Sequence, residues 1–155
     1  MKKLLFYFLL LLLVSSCTYD CFKSDVYISC IGFSTAETDS IVLKKFTKNS
    51  GFVSPLDSAV ITPANTRYKF LGDTLKFVAF SGDIVLDCDY DYEVYFPKMY
   101  KKYQLNNITE EQRTQQRNIF GGTKEACLNT LSYYNINGQV VDASKNSNII
   151  YIKNQ

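Results

Sequence analysis

Histidine and tryptophan are both absent from the 155 residues. Without an imidazole the chain has no Ser-His-Asp or Cys-His nucleophile activation, no His-containing zinc site and no imidazole proton shuttle. A basic excess is missing too. Lys and Arg total 17 against 15 Asp and Glu, and Lys2 and Lys3 lie within the first sixteen residues. Removing that segment leaves fifteen basic and fifteen acidic residues, with no footprint for nucleic acid. There is no CxxC-type pair, no internal repeat and no low-complexity tract. What is present is ordinary globular material, 46% hydrophobic and 21% charged, of a length suited to one domain. No cofactor and no enzymatic activity are expected from it.

The longest apolar run sits at the start. Leu4 to Val14 is unbroken, follows Lys2-Lys3, and ends in Val14-Ser15-Ser16-Cys17. Eleven helical residues rise only about 16 Å, too little for a hydrocarbon core of about 30 Å. The charge, core length and small-residue end are those of a secretory signal peptide. The last four residues resemble the lipobox of bacterial lipoproteins. That resemblance implies that the Cys17 thiol receives diacylglycerol, that residues 1–16 are removed, and that the new amine is acylated, palmitate being the expected chain. Residues 17–24 then form a lipidated tether and 25–155 the domain. Thr18 rather than Asp follows the cysteine, which under the family's sorting rule implies the outer membrane, on its periplasmic or surface face.

With Cys17 assigned to lipid, Cys21, Cys30, Cys88 and Cys127 remain. Four cysteines in an exported domain read as two disulfides, with three possible connectivities. The pairing Cys21–Cys127 with Cys30–Cys88 is the expectation, because the first two precede strand-like segments and the others lie in alternating runs. Buried free thiols are the alternative; the spacings match no zinc ribbon or finger.

The body alternates in strand-like fashion. Asp25 to Phe33, Ser40 to Phe46, Thr74 to Phe80, Lys101 to Ile108, Cys127 to Ile136, Gln139 to Asp142 and Asn148 to Lys153 are β-rich runs bounded by polar turns. Val60-Ile61 and Tyr68-Lys69-Phe70 flank Pro63, and Ser54-Pro55 marks a loop. Asn137-Gly138 is the strongest hairpin cue. In Asp89 to Phe96 the period of two places Tyr90, Tyr92, Val94 and Phe96 on a core face and Asp89, Asp91, Glu93 and Tyr95 in water. Thr109 to Asn118 (TEEQRTQQRN) has no apolar face; its Thr109/Gln112 capping box leaves short helix and loop equally open. About nine short strands predict a mainly β chain: a single antiparallel sandwich, immunoglobulin-like or transthyretin-like, or a partly open barrel.

The segments Asp39 to Phe46 and Asp91 to Pro97, and Cys127 with Ser132-Tyr133 and Asn137-Gly138, resemble small lipoproteins of Bacteroidota-type Gram-negative bacteria. That resemblance carries no activity with it.

Three sets of residues invite a functional reading. Asp87, Asp89 and Asp91, with Glu93, recur at every second position and offer hard oxygen ligands for Ca²⁺. The EF-hand pattern fails, since Tyr92 stands where glycine is needed and Lys98 where the bidentate Glu belongs. A solvated acidic strand face is the plainer account. Tyr90, Tyr92, Tyr95, Tyr100 and Tyr103 cluster around Pro97, and Tyr133, Tyr134 and Tyr151 follow, residues suited to stacking a sugar or anchoring a protein as well as to filling a core. Ser40, Ser58 and Thr74 each follow Asp and precede an aliphatic residue or Ala, which resembles the short O-glycosylation sequon of exported proteins in that bacterial group. The expectation is a lipid-anchored envelope protein carrying a non-catalytic binding or structural β-domain, with an envelope protein or a glycan as partner, the alternative being a carbohydrate- or calcium-binding module.

Overall fold

The computed structural model describes residues 21, 26–62, 68–72, 74–77, 86–119, 122–146 and 148–154. Ten strands follow in order: β1 (Tyr27–Ile31), β2 (Ile41–Thr47), β3 (Pro55–Ile61), β4 (Tyr68–Leu71), β5 (Thr74–Phe77), β6 (Tyr90–Phe96), β7 (Lys101–Ile119), β8 (Gly122–Ile136), β9 (Gln139–Asp142) and β10 (Ile149–Lys153). They form a four-stranded sheet, β10-β1-β5-β4, and a six-stranded sheet, β3-β2-β6-β7-β8-β9. Ile28, Cys30, Leu75, Ile150 and Ile152 from the first sheet share one core with Leu43, Tyr92, Val94, Phe96, Leu105, Leu131 and Tyr134 from the second. The chain is therefore a β-sandwich, and the sheets do not close into a barrel. Its pairings are antiparallel but for β1 with β10, which lie parallel from Tyr27↔Ile149 to Ile31↔Lys153.

Turn chemistry matches the sequence where glycine or asparagine allows it. Asn137 and Gly138 both hold positive φ, 50° and 82°, joining β8 to β9 as a two-residue hairpin. Asn137 also receives the Gln104 amide on its Oδ1 at 2.8 Å and donates its own amide to the Gln104 carbonyl at 2.9 Å, so the turn is pinned to β7. Ser54-Pro55 does not stay a loop. Pro55 opens β3, an edge strand exposed over most of its length, where a missing ladder donor costs little.

Three expectations are corrected. The first concerns β6. Tyr92, Val94 and Phe96 are fully buried in the predicted register, but Asp91 and Glu93 are only 1% and 7% exposed rather than wet. Side chains of the flanking strands β2 and β7 cover these two positions on the outer face of β6. Phe46 lies opposite Asp91 and packs edge-on against Phe52 at 5.3 Å, while Lys44 and Lys102 reach Glu93 at 3.0 and 3.8 Å. The second concerns residues 109–118, which are neither helix nor loop. They continue β7 into a ribbon with β8, in register from Glu110↔Leu131 to Ile119↔Gly122. Among the described residues β6 pairs with β7 only as far as Leu105 and β9 with β8 only from Tyr133, so there the ribbon continues past the sheet as a two-stranded arm.

The third concerns the cysteines. Cys21–Cys127 forms, with Cα atoms 4.7 Å apart, but Cys30 and Cys88 are free thiols. Cys30 lies in the core between its strand neighbours Leu75 and Ile152. Cys88 belongs to the turn that enters β6 in the other sheet, where the Lys48 ammonium holds its carbonyl at 2.8 Å. Each thiol is committed to its own layer.

Candidate functional site: an inter-sheet cleft and a lipid attachment site

The sandwich is open along one flank. β10 ends the four-stranded sheet and β9 ends the six-stranded sheet, and a cleft of about 560 Å³ lies between them. Its lining includes Tyr103, Tyr134 and Tyr151, with Asn137, Gln139 and Lys153. Three tyrosines that the sequence leaves scattered over fifty residues are thus gathered at one place. Tyr103 and Tyr134 face inward because β7 and β8 alternate there between core and solvent.

Two of the phenols are already employed. The Tyr103 hydroxyl donates to the Lys153 carbonyl at 3.1 Å, and the Tyr134 oxygen accepts the Tyr151 amide at 3.1 Å. Both contacts reach across the sandwich to β10, satisfying backbone groups that an edge strand leaves unpaired. Burial raises the Tyr134 phenol above its usual range, opposed by the bond from Tyr151; burial also raises Tyr103, with the Cys30 thiol adding to it. Both stay neutral hydroxyls under physiological conditions. Among the described residues no carboxylate lines the cleft, and its lining offers aromatic and aliphatic surface, side-chain amides and one ammonium.

The acidic residues do not converge as the strand pattern suggests. Asp87 and Asp89 sit in the turn before β6, and the Asp89 amide donates to Asp87 Oδ1 at 3.0 Å. With the Cys88 sulfur their ligand atoms lie within 4.8 Å of one another. Asp91 is not in that group. Its Oδ2 accepts the Asn49 amide at 2.8 Å and steadies the turn between β2 and β3, where Asn49 takes a φ of 61°. Cys88 is a poor nucleophile. Burial, and then Glu110, Asp87 and Asp89, push its thiol up from 9.0 to about 11. Cys30 is raised further by burial alone.

The three serine and threonine positions are also dispersed. Ser40 precedes β2, Ser58 lies exposed in the middle of edge strand β3, and Thr74 opens β5. Tyr100 and Tyr133 are exposed, Tyr95 is half-buried, and Tyr92 is sealed in the core with its oxygen accepting the Asp87 amide at 2.7 Å. Sequence reasoning missed Asn137, Gln139 and Lys153 as cleft residues; only pairing two edge strands from opposite sheets brings them together.

Cys17 lies outside the described residues. Residues 1–18 match the family described as the prokaryotic membrane lipoprotein lipid attachment site. No curated protein and no solved structure matches the chain, and the resemblance of its body to Bacteroidota-type lipoproteins draws no support from a relative. The attachment site supports a lipid-anchored envelope protein held at a membrane through Cys17.

Proposed function

We propose that this lipid-anchored chain is a non-catalytic binding domain of the cell envelope, with the flank between β9 and β10 as its binding site. The observation that carries the reading is the cleft itself, a concave space of about 560 Å³ in which Tyr151, Ile136 and Val141 stand beside Asn137, Gln139, Asn146 and Lys153. An envelope protein presenting a side chain or short segment is the favoured occupant. A glycan is the second reading, favoured by the half-buried Tyr151 ring beside the amides of Asn137, Gln139 and Asn146. Calcium has less support, because the third carboxylate of the expected set, Asp91, is engaged with Asn49.

We place the protein on the outer membrane because Thr18, not Asp, follows the lipidated cysteine. Among the three sequon-like sites, Ser58 is the one on an exposed edge and would accept a glycan most readily.

Two experiments test these readings. Cys17→Ser should move the protein from the membrane to the soluble fraction and abolish labelling by fatty-acid analogues; retention with unchanged labelling refutes the anchor. Photocrosslinking from the Gln139 position in intact cells should capture a discrete partner, and Tyr151→Ala should abolish that capture. Capture that is indifferent to Tyr151 refutes the cleft as the site.

A further inference from the structure

The Cys21–Cys127 disulfide governs how the molecule meets the membrane. Cys17 and Cys21 are four residues apart, so the extended chain separates them by at most about 14 Å. Cys21 is bonded to Cys127, with Cα atoms 4.7 Å apart. Cys127 lies in the projecting arm, directly opposite Thr114. The first strand begins only at Tyr27, and without the disulfide its ten-residue lead would let the body wander to about 35 Å from the lipidated cysteine. With the disulfide closed, the leash belongs to the arm and not to the sandwich.

We infer that the polar β7–β8 arm is the membrane-facing element of the protein and rests against the headgroup layer of the bilayer that holds the Cys17 acyl chains. The inference depends on the lipid anchor proposed above. The arm's chemistry suits that position. Glu111, Gln112, Arg113, Thr114 and Gln116 are exposed and polar, and Arg113 pairs with Glu111 on its own strand. Over residues 109–130 three acids face three bases in number: Glu110, Glu111 and Glu125 against Arg113, Arg117 and Lys124. Such a surface suits headgroups of either charge. No intrinsic affinity is needed, since a short leash raises the effective concentration of the arm at the surface. The cleft is carried away from this contact. Nine residues of β8 separate Cys127 from Ile136 at the cleft, about 30 Å along the strand. A lining built for an envelope partner is thereby presented at the far end from the point of attachment.

Energy transfer on the lipidated full chain tests the placement. A fluorescent amino acid is incorporated in place of Thr114 or, separately, in place of Val140, a 72% exposed position in β9 at the cleft end. The protein is reconstituted in phosphatidylethanolamine–phosphatidylglycerol vesicles bearing a headgroup-linked acceptor. Transfer from position 114 should be at least twice that from position 140. A twelve-residue Gly-Ser insertion between Thr18 and Tyr19 keeps the disulfide and the fold, and should bring the two efficiencies close to equal. Equal transfer in the native-length chain, or a difference that survives the insertion, overturns the inference while leaving the anchor intact. A chain that does not float with the vesicles overturns both.

Discussion

Asp91 and Glu93 show how a strand pattern misleads at single residues. Period-two alternation assigns them to water, and the same alternation correctly sends Tyr92, Val94 and Phe96 inward. The inward assignment holds and the outward one fails, because side chains of the flanking strands β2 and β7 (Phe46, Lys44 and Lys102) lie over these two positions. Burying a carboxylate is costly unless it is bonded: Glu93 pairs with Lys44 and Lys102, and Asp91 accepts the Asn49 amide on Oδ2 while its Oδ1 finds no partner among the described residues. Phe96→Ala should cost about 3–5 kcal/mol by loss of burial and the cavity left behind. Asp91→Ala and Glu93→Ala should each cost about 1–3 kcal/mol, well above the half kcal/mol of an exposed site. Urea denaturation of the three variants checks the order; acid variants as stable as the parent would mean that the outer face is open. The free thiols carry a pH prediction. Cys88 titrates near 11 instead of 9.0, so the folded state holds that proton more tightly than the unfolded chain. Its contribution is complete below pH 9 and is lost as pH rises through 11. Iodoacetamide should accordingly modify Cys88 slowly at pH 8 and faster towards pH 11, and should reach Cys30 only after unfolding.

At the level of elements, the legible parts are those whose physics is local. Asn137-Gly138 specifies its hairpin through backbone conformations that few other pairs tolerate, and the apolar alternation of β1, β2, β6 and β10 specifies strands that each bury a face. The arm was not legible, because its stability is not local. Thr109 to Asn118 has nothing apolar to bury, so neither helical nor strand periodicity can register in it. What makes it a strand is the ladder to β8 and the covalent tie to Cys21, both distant in sequence. The cleft was half legible. Its tyrosines stood out, but their meeting depends on β10 returning beside β1, a parallel pairing of the two ends of the domain that no local signal announces. That pairing leaves β10 with an outward edge, which Tyr103 and Tyr134 cap from the opposite sheet. Tyr103→Phe and Tyr134→Phe should each cost about 1 kcal/mol. In Tyr134→Phe the Tyr151 amide loses its acceptor, so its hydrogen exchange should accelerate far more than that of amides in β2 or β6. Uniform acceleration across both sheets would show instead that the phenol supports the whole core rather than one edge.

For the whole molecule, the question is how far a bond between two peripheral segments stabilises the sandwich. Cys21 and Cys127 are 106 residues apart. On the loop-entropy argument, closing a loop of that order restricts the unfolded chain by about 4.7 kcal/mol. The full amount is realised only if the native state gains no freedom when the bond opens. Here it does gain freedom, because Cys21 precedes the first strand and Cys127 lies in an arm that no third strand supports among the described residues. Released, the lead before β1 and the ribbon beyond Glu110 regain conformations while the two-sheet core keeps its contacts, which returns part of the entropy to the folded side. The expected net loss for Cys21→Ser with Cys127→Ser is therefore about 2 kcal/mol, a fall in Tm of roughly 6–10 °C for a domain of this size. Hydrogen exchange should locate it: amides of Gln112 to Gln116 lose protection in the variant, while those of Tyr92 to Phe96 keep theirs. Non-reducing peptide mapping of the parent protein should meanwhile return one crosslink, Cys21–Cys127, and two alkylatable thiols after unfolding. A fall near 20 °C, with protection lost throughout β6, would mean instead that arm and sandwich unfold as one cooperative unit and that the leash is part of the core's stability.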